Sequence, residues 1–347
     1  MNFKYARYLL AGLVFSILCF DQTAARQQSN TRCSGDMSQN RERQEILKRL
    51  AKLKVGYVSP ATGIVKEFQK EYQKDIRKFG IRIPDEAFID KNICSFSYTD
   101  GNRFNRLKQN IYSPDSDIVW ATRGGFGSYK LIGALKRLPH PEKKKILIGF
   151  SDITALNLFV SQNWKDWTVI HAPMTVYLAK DKYHHPSWAL LLDILENKIT
   201  QYKMTVLTPL NEAGEKARKG KIFGKLTGGN LTLIESSLKT SWEIDTDGKI
   251  LFIEDCHETA PSIYRSMYHL KEAGKLSKAK AIVFGHFEGI PKCKEYLKHF
   301  ASEVDIPVFI TDQFGHGKNN FPLVYNANAW IEGNSLTINL PKKQVEF

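Results

Sequence analysis

The chain has 347 residues, which is enough for two domains that each have a hydrophobic core. It carries 50 lysine and arginine residues against 36 aspartate and glutamate residues, so its formal net charge is +14 at pH 7. The basic residues are spread along amphipathic helices without a nucleic-acid-binding motif, so we expect solvated basic faces, a bias towards anionic substrates and no nucleic-acid partner.

The first 25 residues have the pattern of an export signal. Lys4 and Arg7 precede an apolar run from Tyr8 to Phe20, and the small residues Thr23-Ala24-Ala25 follow it. The run is shorter than the roughly 20 residues that span a bilayer. The pattern favours a cleavable signal over residues 1–25 and a periplasmic or secreted protein without a membrane segment. An uncleaved N-terminal anchor is the alternative.

The cysteines that would remain after cleavage do not indicate a metal site. They are Cys33, Cys94, Cys256 and Cys293, and their wide spacing does not resemble a zinc site. A chain of this length does not need disulfides for stability. We expect free or incidentally paired thiols and no metal or cofactor.

Strands and helices alternate over the first half of the chain. After a lead-in at 26–50, polar and flexible to residue 40 and helical from 41 onwards, the patterns predict a nucleophile-bearing domain over 51–178. Its predicted strands are 54–58, 81–83, 117–121, 146–148 and 167–171, and its predicted helices include 64–78 and 102–111. Such alternation is typical of an α/β fold with a parallel, doubly wound sheet.

A linker is predicted at 179–215 and a second domain at 216–347. The second domain has predicted strands at 220–226, 249–253, 279–285 and 308–310, helices at 260–273 and 293–303, and antiparallel strands at 323–325 and 335–338.

The segment from Lys145 to Leu156 organises the predicted chemistry. The buried strand Ile146-Leu147-Ile148 runs into a turn at Gly149, and Ser151 follows just before a helix. A serine on such a turn is presented as a nucleophile. We expect the carboxylate of Asp152 to suit the positive end of the following helix.

Two further polar residues lie at or beyond the ends of apolar strands, and a pair of glycines does as well. Glu254 follows one strand and His316 another, and Gly124-Gly125 follow a third. A glutamate can orient a histidine base, and exposed glycine amides can stabilise an oxyanion. Each piece also has a plainer interpretation: a helix cap for Ser151, a solvated carboxylate or an ion pair with Arg265 for Glu254, and a simple turn around His316.

Taken together, the motifs resemble those of the LD-carboxypeptidase (S66 serine peptidase) family, which includes muramoyltetrapeptide carboxypeptidases and microcin-immunity peptidases. They cover roughly residues 52–340 in family order. They are Arg123-Gly124-Gly125-Phe126-Gly127, Gly149-Phe150-Ser151-Asp152-Ile153-Thr154, His171-Ala172-Pro173-Met174, Gly228-Gly229-Asn230-Leu231, Ile253-Glu254-Asp255 and Gly315-His316-Gly317.

The resemblance implies a catalytic triad of Ser151, Glu254 and His316. It implies an oxyanion hole from the backbone amides of Asp152 and of the Gly124-Gly125 loop, with Gly125 as the donor on that loop. We also expect Arg123 and Gly124 to contact the substrate, Arg123 through the free carboxylate.

The resemblance also implies a flavodoxin-like (glutamine-amidotransferase-like) N-terminal domain and a C-terminal domain of swivelling β/β/α type. The implied reaction is hydrolysis between an L-centre, such as diaminopimelate, and a terminal D-alanine in cell-wall muropeptides. Cleavage of a peptidyl-nucleotide antibiotic, as in the microcin C branch, and non-catalytic binding of wall peptides are the alternatives. A homodimer is a further expectation from the family, although no interface is readable from the sequence.

Overall fold

A computed structural model describes residues 32–65, 73, 76–89, 96–180 and 185–341. The predicted export signal, Cys94 and most of the helix predicted at 64–78 lie outside these ranges. Residues 1–44 and 45–347 form separate compact units, and the fold described below is that of the second. Within the described ranges, no helix combines the length and the apolar character that crossing a membrane requires.

The elements are numbered here in chain order. The helices of the described ranges are α1 (Arg32–Leu50), α2 (Asp100–Tyr112), α3 (Ile132–Leu135), α4 (Thr154–Asn163), α5 (Val176–Lys180), α6 (His185–Leu195), α7 (Glu212–Ala217), α8 (Leu231–Ser236), α9 (Ala260–Glu272) and α10 (Cys293–Ala301). The strands are β1 (Val55–Val58), β2 (Ile64–Val65), β3 (Phe88–Ile89), β4 (Ile118–Ala121), β5 (Ile146–Ile148), β6 (Thr168–His171), β7 (Gln201–Met204), β8 (Thr208–Pro209), β9 (Lys221–Asn230), β10 (Lys249–Cys256), β11 (Ala281–Glu288), β12 (Val308–Gly315), β13 (Leu323–Val324), β14 (Asn328–Glu332) and β15 (Ser335–Asn339).

The first sheet confirms the predicted α/β class. Its five strands have the order β1-β4-β5-β6-β13, and the first four run parallel. Every residue of β4 and β5 is buried, as expected for parallel strands that are covered on both faces. β13 pairs antiparallel with β6 and therefore covers what would otherwise be an open edge.

The second sheet has eight strands in the order β7-β15-β14-β9-β10-β11-β12-β8. Strands β9 to β12 are parallel and form its centre, while β14, β15, β7 and β8 add antiparallel wings. Part of the segment predicted as a linker, 179–215, supplies β7 and β8 to this sheet. Conversely, β13 carries part of 216–347 back into the first sheet, so each sheet is built from separate stretches of chain.

Several predicted local boundaries differ from the structure. Residues 81–83 form no strand although Ile81 and Ile83 are buried, because an apolar alternation reports burial and not strand pairing. The predicted helix at 64–78 is replaced at its start by β2, which pairs with β3. α1 begins at Arg32, within the stretch predicted to be flexible up to residue 40.

Helix α4 lies where the two sheets meet. Its residues 154–161 are all buried, as expected for a helix that is packed on every side. Thr154 at its start accepts a hydrogen bond from the Asn230 amide at the end of β9 (3.0 Å). Tyr325, which follows β13, donates its hydroxyl to the Gly228 carbonyl (2.8 Å) and its amide to the Val169 carbonyl (2.9 Å). These bonds fix the second sheet against the first.

Gly229 tests this junction. Its φ is +128° and an added Cβ would lie 2.5 Å from the Thr154 side chain, so Gly229→Ala should cost about 3 kcal/mol, or prevent folding. Gly248→Ala is the matched control: it has φ +70° but no atom within 4 Å of an added Cβ, so only backbone strain of about 1 kcal/mol is expected. Urea denaturation measures the free energy of unfolding of the wild type and of both variants. Equal decreases in the two variants would contradict this account of the junction.

Candidate active site

Ser151 occupies the strained turn that the sequence predicts between β5 and α4. Its φ is +61°, in the left-handed region that non-glycine residues adopt only when the surroundings enforce it. At Gly149, an added Cβ would lie 2.7 Å from the Ile153 side chain, so only glycine allows the turn to close so tightly. Asn157 on α4 donates to the Gly149 carbonyl (2.9 Å) and holds the turn from below. The serine is half-buried at the carboxyl end of the first sheet.

The loop after β4 lies against this serine. A Cβ added to Gly124 would be 3.0 Å from Ser151 Cβ and 3.2 Å from its Oγ, so the glycine brings the loop backbone into contact with the serine. Thr62 holds the loop from the other side: its amide donates to the Gly124 carbonyl and its hydroxyl accepts from the Phe126 amide (3.1 Å each). Within the described residues, the Gly125 and Asp152 amides donate to no acceptor. Both predicted oxyanion donors therefore lack a protein acceptor in the part of the chain that the structure describes.

The sequence predicts that the side chain of Asp152 interacts with the start of the following helix, and this prediction is wrong. Instead its carboxylate accepts from the amides of Gly127 (3.1 Å) and Ser128 (2.8 Å) in the loop after β4. The start of α4 has no side-chain cap, and the short 3₁₀ turn Ser151–Ile153 leads directly into it. The Asp152 carboxylate therefore stabilises the neighbouring loop and not its own helix.

Glu254 and His316 form a buried pair on the second sheet. Nδ1 of His316 donates to Oε2 of Glu254 at 2.5 Å. Glu254 is 0% exposed and His316 is 7% exposed. Strands β10 and β12 reach further than predicted, so Glu254 lies within β10 and His316 directly follows β12. The interpretations of Glu254 as a solvated carboxylate or a partner of Arg265 are wrong, since Arg265 instead contacts Ser262 (3.2 Å).

The pair strongly changes the acid–base properties of the imidazole. Burial by itself lowers the pKa of His316, but the charge of Glu254, its hydrogen bond and the Cys256 thiol raise it by more. The net pKa of His316 lies well above 6.5. The carboxylate partner therefore favours the protonated form of the imidazole, the form that arises when His316 accepts a proton.

Phe150 brings the serine turn and the histidine together. Its ring lies 4.8 Å from that of His316 between centroids, and the next residue is Ser151. The structure records no hydrogen bond between Ser151 Oγ and His316. Bonds of this kind are often long before substrate binds and tighten in the complex.

His171 and Cys256 border the pair. The sequence places His171 only in a family motif and identifies Cys256 only as a thiol, and neither residue is predicted to lie in the site. His171 is fully buried against Phe150 and Phe252, with ring centroids 5.5 and 5.4 Å away, and burial lowers its pKa to about 4, so it is neutral. Cys256 follows Glu254 by two residues on β10. The period-2 alternation of a strand could have placed it on the face of Glu254. Burial raises the pKa of the Cys256 thiol, which is therefore protonated.

Asp255, the residue after Glu254, bonds to structural partners and not to a histidine. It accepts from the Asn230 side chain (2.7 Å) and from the amide and hydroxyl of Thr232 (2.9 Å each). Burial and the charge of Glu254 raise the pKa of Asp255 to about 6. These bonds join the end of β10 to the start of α8.

Arg123 is half-buried beside the loop. One guanidinium nitrogen, Nη1, donates to the Gly63 carbonyl (2.9 Å), which leaves other donors of the group available. Burial lowers the pKa of Arg123, which nevertheless remains a cation at neutral pH. Cys256 and Cys293 are free thiols, and among the described residues no cluster of three or more His, Cys, Asp or Glu side chains is placed to hold a metal ion.

Comparisons with known proteins agree with this geometry. The profile of the LD-carboxypeptidase N-terminal domain matches residues 55–172, and that of the LD-carboxypeptidase C-terminal domain matches residues 223–331. A Rickettsia conorii protein named as a carboxypeptidase is 39% identical over 283 residues, which cover 81% of this chain and 89% of that protein.

More distant matches include a solved structure. The microcin C7 self-immunity protein MccF of Escherichia coli is 24% identical over 267 residues, or 67% of this chain and 75% of that protein. The crystal structure of muramoyltetrapeptide carboxypeptidase from Oxalobacter formigenes superposes with a TM-score of 0.68 at 23% identity, covering 83% of this chain and 99% of that one. Because both domain profiles match in order and the Rickettsia relative is similar over most of its length, the chain belongs to the LD-carboxypeptidase family.

Proposed function

We propose that the protein is a serine LD-carboxypeptidase that hydrolyses the bond between an L-centre, such as that of diaminopimelate, and a terminal D-alanine in muropeptides. The observation that carries the proposal is the arrangement around Ser151. A strained serine lies beside two backbone amides that have no acceptor among the described residues, and the buried Glu254–His316 pair of the second sheet packs against Phe150, the residue before the serine. Membership of the LD-carboxypeptidase family supports the choice of peptide bond.

The proposed reaction has two steps. Ser151 Oγ attacks the scissile carbonyl while His316 accepts its proton, and the tetrahedral oxyanion is stabilised by the Gly125 and Asp152 amides. His316 then gives the proton to the departing amine, D-alanine leaves, and an acyl-enzyme remains. A water molecule, deprotonated by His316, releases the acyl group and restores Ser151. Glu254 orients the imidazole throughout and stabilises its protonated form.

The free carboxylate of the leaving D-amino acid needs a cation, and Arg123 is the candidate we propose. It lies next to Gly124, which is in contact with the serine, and has unused donors. A guanidinium can bind a carboxylate through two parallel hydrogen bonds. Arg123 would thereby make the enzyme act only at a chain end.

The N-terminal pattern supports export, so we place the proposed reaction in the periplasm or outside the cell. Cleavage of a peptidyl-nucleotide is the competing proposal, since the chain also resembles MccF. Product analysis on LD-linked tetrapeptides and on a peptidyl-nucleotide, side by side, separates the two. A wall-peptide binding protein would retain the tetrapeptide without releasing D-alanine.

Ser151→Ala should lower D-alanine release from a diaminopimelate-containing tetrapeptide by at least about 1,000-fold, since the nucleophile is lost. Its control is Ser236→Ala, which removes an exposed hydroxyl on α8 and should leave the rate unchanged. The rate of D-alanine release by the wild type and both variants is measured by chromatography. Undiminished release by Ser151→Ala, or none from the wild type, would sink the proposed function.

Activity should disappear as the pH falls through a pKa above 6.5, because His316 accepts a proton only when neutral and Glu254 keeps its pKa high. In Glu254→Gln the carboxylate charge is gone, so the acidic limb of kcat/KM should move to lower pH while kcat falls about 100-fold or more. Glu288→Gln is the control. It breaks a half-exposed pair with His286 (2.8 Å) and should leave the profile in place. If the acidic limb of kcat/KM stays at the same pH in Glu254→Gln, His316 is not the base.

Arg123→Gln should raise KM about 10- to 100-fold for the tetrapeptide, since one charge-assisted contact contributes about 1.5–3 kcal/mol. The same substitution should have little effect on a tetrapeptide whose terminal carboxylate is converted to a carboxamide. The exposed Arg265 on α9 serves as the charge-matched control, as Arg265→Gln. Equal KM increases for the acid and the amide in Arg123→Gln would show that Arg123 does not bind the carboxylate.

A further inference from the structure

The residue after the nucleophile connects the two loops that form the site. The Asp152 side chain is 2% exposed and accepts from the Gly127 and Ser128 amides at 3.1 and 2.8 Å. In return, the Ser128 hydroxyl donates to the Asp152 carbonyl at 2.6 Å. The turn after β5 and the loop after β4 are thus joined by three hydrogen bonds, which all involve Asp152.

These bonds determine which amides of the loop remain free. The Thr62 hydroxyl accepts a hydrogen bond from the Phe126 amide, and the Asp152 carboxylate accepts from the amides of Gly127 and Ser128. The tied amides follow one another in the sequence, and the free Gly125 amide comes directly before them. The Gly125 amide, which follows the Gly124 that lies against Ser151, therefore has no acceptor among the described residues.

The loop needs such anchors because its backbone is unusual. Gly125 and Gly127 have φ values of +103° and +107°, and glycine has little preference of its own for them. Gly127 is held from both sides, since the buried guanidinium of Arg103 donates to its carbonyl at 3.0 Å. Arg103 also supplies a positive charge close to the Asp152 carboxylate.

We propose that Asp152 is a positioning residue: its carboxylate holds the Gly127-Ser128 backbone so that the Gly125 amide and the Asp152 amide meet the oxyanion together. This inference rests on the proposed function, and it assigns to the side chain a role separate from that of the backbone amide. Asp152 touches neither the substrate nor the serine hydroxyl in this role. It acts on the transition state through the loop.

Because the oxyanion exists only during the reaction, misplacing its donors should lower kcat and leave KM almost unchanged. Asp152→Asn keeps the size of the side chain but replaces one acceptor oxygen with an N–H donor that faces another donor. We expect kcat for D-alanine release to fall about 100-fold, as for the loss of one oxyanion donor, and KM to change less than twofold. Asp117→Asn is the matched control, since Asp117 is a buried aspartate directly before β4 that pairs with Lys143 (2.8 Å). It should leave both constants unchanged.

A purely structural role for Asp152 predicts a different result, namely a lower melting temperature with kcat preserved in the folded fraction. That result, or an effect confined to KM, overturns the proposal. If Asp152→Asn does not fold, Thr62→Val removes the acceptor of the Phe126 amide at constant shape and loosens the same loop. We then expect kcat to fall several-fold at unchanged KM, and an unchanged kcat overturns the proposal.

A second readout separates this inference from the choice of substrate. Acylation by p-nitrophenyl acetate uses the same serine and oxyanion hole but no LD-peptide. If the wild type cleaves no LD-peptide, the proposed function fails, while a Ser151-dependent acylation burst that Asp152→Asn slows still supports the positioning role. A burst of equal rate in the two proteins, or no Ser151-dependent burst at all, overturns it.

Discussion

The site depends on the contact between the start of α4 and the end of β9. Ser151 belongs to the first sheet and Glu254 to the second, so any slip between the sheets would separate the serine from the acid–base pair. The Thr154 hydroxyl accepts the Asn230 amide, and Asn230 lies in register with Glu254 on the neighbouring strand. A Cβ on Gly229 would lie 2.5 Å from the Thr154 side chain. One hydrogen bond and one close backbone approach therefore fix the position of the serine turn relative to Glu254.

The Glu254–His316 pair cannot be explained by stability. Removing each ion from water costs several kcal/mol, and a buried pair often does no better than apolar residues of the same volume. What the pair does provide is a fixed imidazole with a raised pKa in a place shielded from water. The aromatic ring of Phe150 against His316 keeps the surroundings of the pair apolar, so the attraction between its partners stays strong. The pair is thus costly to fold and useful for moving a proton.

The features that local patterns specify are the ones that the sequence predicted. The strand–glycine–serine turn at Ile146–Ser151 follows from apolar β-branched residues and from Gly149, and the structure has it. Features that depend on partners distant in sequence were missed or misplaced. Asp152 was expected on its own helix because its partners, Gly127 and Ser128, lie 25 and 24 residues away. His171 was named only as part of a motif, and its position beside the pair was missed, since its burial against Phe252 comes from the packing of one sheet on the other.

The arrangement of charge explains why buried carboxylates can surround a site that must stabilise an oxyanion. A negative charge beside a developing oxyanion would raise the barrier, and the effect grows where water is excluded. Each carboxylate accepts from at least one donor: Asp152 from loop amides, Asp255 from Asn230 and Thr232, and Glu254 from His316 through Oε2. The other Glu254 oxygen, Oε1, is buried and has no partner among the described residues. Among the described residues beside the serine, the Gly125 and Asp152 amides and part of the Arg123 guanidinium have no acceptor. These donors favour negative charge at the serine even though acidic side chains lie close by.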